Sequence, residues 1–173
     1  MIPTALPVSS FNGKIFVSTA HDVRKMSMVP SVLLAASNPL WELWQCHLTA
    51  LTQPGSLFEG VVDALAAIFL GDPHWRDSAT PADVIQKRSA IRSLLTLTPP
   101  NLIVLKNFKH YGCHERCYPL WNYVCLSKRF VKLWMDAEGS DAWQGLSALL
   151  ITAIDHELGH WIQSIVSLFS TIC

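Results

Sequence analysis

The sequence predicts an α+β fold: a helical N-terminal half, a small β-sheet and a long C-terminal helix. Three observations carry this. Apolar residues recur at helical spacing through most of 30–98; short runs rich in β-branched and aromatic residues follow at "NLIVLKNF" and "WNYVCLS"; helical periodicity then returns through "LSALLITAIDHELGHWI". With 173 residues, 50% of them hydrophobic, the chain can bury roughly 70% of the surface its unfolded form exposes. No repeat, low-complexity tract or block of like charge marks a second domain, so residues 1–173 are read as one.

Residues 1–29 read as irregular, with one short strand at "KIFVS". From Pro30 the pattern turns helical. "PSVLLAAS" and "LWELWQCHLTAL" read as two helical pieces parted by Asn38-Pro39, because proline disfavours the helical conformation of the residue before it. "SLFEGVVDALAAIFLGD" puts Leu57, Phe58, Val61, Val62, Leu65, Ile68 and Phe69 on one helix face and stops at Gly71-Asp72-Pro73. Another helix starts at Thr80-Pro81, with Thr as N-cap, and carries Val84, Ile85, Ile91, Leu94 and Leu95 inward. Pro99-Pro100 ends the helical region. The segment 101–173 then holds a strand at "NLIVLKNF", a turn-like "KHYGCHERCYPL", a strand at "WNYVCLS", a helix through "KRFVKLWMDA" capped by Ser127, and a final helix from about Asp141.

Composition bounds the function. Lys+Arg and Asp+Glu both number 13, so no basic field favours nucleic acid or an acidic membrane. The longest strongly apolar run, "LSALLITAI", is too short to span a bilayer. The N-terminus lacks the pattern of an export signal, and five cysteines, an odd number, argue against a disulfide framework; together these favour a soluble protein of the cytoplasm. A mean hydropathy of +0.28 and seven tryptophans leave apolar surface for a partner or an absent subdomain to cover.

The chemistry is concentrated in His156-Glu157-Leu158-Gly159-His160. Histidines four residues apart share a helix side, so both imidazoles can reach one zinc ion at about 2.0–2.1 Å. Glu157, beside the first ligand, is placed to take a proton from a zinc-activated water. Gly159 allows another chain element to approach, and Ile154, Trp161 and Ile162 supply apolar contacts. An accidental H-E-x-x-H arises in roughly one chain in a hundred of this composition, and the helical setting lowers those odds. The bland alternative is a solvent-facing turn with an incidental histidine pair.

"WNYVCLSKRFVKLW" followed by "LLITAIDHELGHWI" resembles the strand, connection and active-site helix of zincin metallopeptidases over roughly 120–163. The arrangement "PLWNY…HE.GHW" is also similar to one in uncharacterised fungal proteins. The zincin resemblance implies a mixed sheet whose edge strand holds an extended peptide, with His156 and His160 as Zn2+ ligands and Glu157 as general base. Gluzincins take a third ligand from a glutamate on a later helix, and metzincins extend the motif to a third histidine; Gln163 and Val166 stand at the later metzincin positions, so the resemblance leans to gluzincins.

A third ligand is therefore the open question, because catalytic zinc sites use three protein ligands plus water. After His160 no His, Asp or Glu follows, and Cys173 would need the chain to reverse. Asp155 projects about 100° away from His156 and reads as an outer-shell or solvent group. Upstream, His110, Cys113, His114 and Cys117 crowd into eight residues, a density suited to metal but a spacing that matches no zinc pattern; buried thiols, a local disulfide and ordinary loop histidines explain it as well. His21, His47 and His74 read as surface or core residues, and the tryptophans as core in preference to a ligand-stacking surface. The uncapped apolar end "WIQSIVSLFSTIC" reads as a domain cut short after its active-site helix. Two functions follow as expectations: a zinc-dependent metallopeptidase-like domain acting on a peptide or protein, or an inactive zincin-derived interaction module with an incomplete metal site.

Overall fold

The computed structural model describes residues 14–18, 31–105, 112–114 and 123–170. The fold is α+β. Five strands, β1 (Ile15–Ser18), β2 (Ser31–Leu33), β3 (Asn101–Leu105), β4 (Gly112–His114) and β5 (Tyr123–Ser127), form one sheet in the order β2-β1-β3-β5-β4. The helices are α1 (Pro39–Thr52), α2 (Glu59–Leu70), α3 (Pro81–Leu97), α4 (Lys128–Asp136) and α5 (Ala142–Ser170).

Strands β1, β3 and β5 are parallel, and each edge strand runs antiparallel to its neighbour, so the sheet is mixed. Central parallel strands are covered on both faces and read as continuous apolar runs. "NLIVL" and "YVCLS" are such runs. Leu102, Val104, Val124 and Leu126 join the helical core, while the alternate residues Ile103, Leu105 and Cys125 are buried outside that cluster.

Two element assignments need correction here. Residues 31–37 are not a helical piece: Ser31–Leu33 is strand β2, with Phe16 opposite Leu33 and Val17 opposite Val32. A short apolar run carries no decisive period, and β1 offered it a free edge. Within the segment read as turn-like, Gly112–His114 forms the edge strand β4; three residues are too few to show alternation, and pairing with β5 defines them.

The helix signals in the sequence act as read at most ends. Asn38 Oδ1 accepts from the Leu40 amide at 3.0 Å with Pro39 following. Thr80 and Asp83 form a reciprocal capping box, and Gly71 ends α2 at φ 66°, a conformation that strains any residue with a Cβ. Ser127 holds the N-cap position of α4 without a side-chain capping bond. Ile85, expected to point inward on α3, is 69% exposed, whereas Ile91 and Leu95 are buried. The polar face of α3 instead holds α2: Arg88 donates to both carboxylate oxygens of Asp63, at 2.7 Å each, and Arg92 pairs with Glu59.

Trp44, Trp134 and Trp161 are fully buried, and Trp41 and Trp143 pack partly buried against them, which bears out the core reading for these five; Trp121 lies outside the described residues. Leu150, Ile154, Leu158, Trp161 and Ile162, all 0% exposed, form the inner face of α5. Burying each such aliphatic side chain contributes about 1.5–3 kcal/mol, enough to fix which face of α5 turns outward. Among the described residues, no helix is long and apolar enough to cross a membrane.

Candidate metal centre

Because the inner face of α5 is held by that apolar stripe, its opposite face is presented to solvent: Leu149, Thr152, His156 and Gln163 are exposed, and His160 is half-buried beside them. The two imidazoles converge there. Their Nε2 atoms lie 3.1 Å apart, with ring centroids 4.7 Å apart and planes at 89°. Two nitrogens bound tetrahedrally at 2.0–2.1 Å stand about 3.3 Å from each other, so little movement separates this pair from a chelating pair. The same distance also admits an N–H···N bond between neutral rings.

Glu157 behaves differently from its neighbours. It is rotated about 100° from His156 but only about 60° from His160, which sets it between the open imidazole face and the packed face of the helix. It is 4% exposed, and its Oε2 has no hydrogen-bond partner among the described residues. Burial pushes its carboxyl from 4.5 up to about 7. A buried carboxyl oxygen lacking a partner is costly, and proteins keep such groups where chemistry uses them.

Gly159 acts as the sequence reading expects. A Cβ at this position would meet Ile68 Cδ1 of α2 at 3.0 Å, so the missing side chain admits α2 against the motif helix. Asp155 turns away from the imidazole pair, and its Oδ1 accepts from His47 Nε2 at 2.6 Å. His47 is 3% exposed and belongs to the core, while His74 is exposed on the surface. No local signal could have disclosed the His47–Asp155 tie, since the partners are 108 residues apart.

The upstream donors divide. Cys113 and His114 lie on β4, opposite Cys125 and Val124 of β5, and β4 and β5 both pack against α5. The backbone thus brings these two positions to the sheet edge adjoining the motif helix; for β4 only the backbone is described. His110, Cys117, Cys173 and His21 lie outside the described residues. Among the described residues, no group of three or more His, Cys, Asp or Glu side chains is arranged to hold a metal. Comparison with known protein families, curated proteins and solved structures finds no match to this chain.

Proposed function

We propose that this chain is a zincin-like, zinc-dependent metallopeptidase domain that hydrolyses peptide bonds at the His156–Glu157–His160 site. The observation that carries the reading is the convergence of two imidazole Nε2 atoms at 3.1 Å beside a buried carboxyl with an unpartnered oxygen. His156 and His160 would hold the ion through these nitrogens. When bound, zinc supplies Lewis acidity that polarises a peptide carbonyl and acidifies a water. Glu157 then takes the proton from the attacking water and delivers it to the leaving amine. In the metal-free site burial raises this carboxyl to about 7, and a cation held beside it would lower that value and favour the proton-accepting carboxylate. Among the described residues β4 is an edge strand, which would offer backbone donors and acceptors to an extended substrate strand. Cys113 and His114 of β4, a strand that packs against α5, are the described upstream donor positions from which a third ligand could come.

The rival reading is an inactive interaction module of zincin descent. It is favoured by the described donor set, which holds a pair and not a triad. One experiment separates the two: zinc content of the purified full chain, with cleavage of casein as an unstructured substrate. The peptidase reading expects about one zinc per chain, loss of that zinc in His156→Ala/His160→Ala, and loss of cleavage with retained zinc in Glu157→Gln. A stably folded protein that takes up no zinc and leaves casein intact supports the module.

A further inference from the structure

The edge of the sheet brings together two cysteines that sequence spacing does not associate. Cys113 of β4 stands directly opposite Cys125 of β5 in the antiparallel register, between the pairs Gly112–Leu126 and His114–Val124. Side chains alternate across a sheet, so directly opposed positions share one face. Opposed Cα atoms in an antiparallel pair are about 4.5 or 5.5 Å apart, and both separations fall inside the window of about 4.4–6.8 Å that a disulfide spans. Cys117, nearer to Cys113 in sequence, lies outside the described residues.

The two positions differ in depth. Cys125 is 0% exposed and in thiol form, with Ile103 of β3 as its other register partner. A thiol buried in apolar surroundings is a poor nucleophile toward outside reagents. Cys113 stands one strand further out, on a three-residue strand at the edge of the described sheet. That order suits a two-step exchange: the outer sulfur meets the reagent, and the inner one resolves the product by an intramolecular attack that needs no path from solvent.

We propose that Cys113 and Cys125 form a reversible cross-strand dithiol–disulfide pair whose oxidant is a low-molecular-weight disulfide of the glutathione class. Cys113 gives up its proton and attacks one sulfur of the small disulfide; that S–S bond breaks, and the first small thiol leaves with the proton. Cys125 then gives up its proton and attacks the Cys113 sulfur, the mixed S–S bond breaks, and the second small thiol leaves. Two electrons pass from the cysteine pair to the small disulfide, one protein S–S bond forms, and excess small thiol reverses both steps. The oxidised state ties the edge strand β4 covalently to β5. Neither step uses His156, Glu157 or His160, so this proposal and the peptidase reading fail independently.

Oxidation of the full chain by oxidised glutathione, followed by blocking with N-ethylmaleimide and mass spectrometry, tests the assignment. In the wild-type chain, proteolytic mapping is expected to find Cys113 joined to Cys125, and dithiothreitol to release it. In Cys46→Ser/Cys117→Ser/Cys173→Ser, which keeps only the proposed pair, the intact mass should fall by two hydrogens, with neither glutathione nor maleimide attached. Adding Cys125→Ala should instead leave one glutathione held on Cys113, because the resolving sulfur is gone. A wild-type linkage of Cys113 to Cys117, glutathione adducts that persist on the pair, or two maleimides on a folded chain after oxidation each overturn the proposal.

Discussion

Replacing Glu157 by glutamine is expected to stabilise the zinc-free protein above neutral pH. The carboxyl titrates at about 7 in the fold against 4.5 ordinarily, because burial disfavours its charge. Below pH 4.5 it is protonated in both folded and unfolded chains and costs nothing extra. Between 4.5 and about 7 the unfolded chain gives up its proton first, so stability falls as pH rises; above 7 the whole penalty is present. That penalty is about 3 kcal/mol, or about 6–12 °C in Tm for a domain of this size. Glutamine keeps the shape and a buried polar group but has no proton to lose. The stability gap between Glu157→Gln and the parent chain should therefore widen by about 3 kcal/mol from pH 4.5 to pH 8. Effects of all other titrating groups cancel in the difference. Urea denaturation of both proteins in a chelator, at half-unit pH steps, measures it. A gap that stays flat with pH, or narrows, would mean that Glu157 is solvated and that its burial is misassigned.

Two further substitutions probe what aims the motif helix. Asp155→Ala removes the partner of His47 Nε2 and leaves a buried imidazole with neither nitrogen satisfied, so it should cost about 2–3 kcal/mol in chemical denaturation; a loss under 0.5 kcal/mol would show that α1 does not hold α5 through this pair. Gly159→Val drives two methyl groups toward Ile68 Cδ1 and should cost about 1–3 kcal/mol, with Ile68→Ala in the same chain restoring part of it. Strictly additive effects of the two changes would contradict direct packing of α2 on Gly159.

Most of the fold could be read from short-range signals. Proline and asparagine before α1, the Thr80–Asp83 box and Gly71 act on backbone groups within a few residues, so they mark helix ends in any tertiary setting. The signals failed where the structure depends on distant partners. Strand β2 exists because β1 lies beside it, and β4 because β5 does. Ile85 has helical spacing but is 69% exposed.

The candidate site divides along the same line. By itself the sequence determined that His156 and His160 share a side of one helix, with Glu157 next to them, since the helical period follows from backbone geometry alone. Only the tertiary structure decided the rest: that the imidazoles face outward while the carboxyl is buried, that α2 rests on Gly159, and that Asp155 is taken by His47 from α1. The physical reason is that a helix's period places residues relative to one another, whereas its rotation about its own axis is set by what it packs against. For α5 that partner surface is assembled from segments as far as 108 residues away.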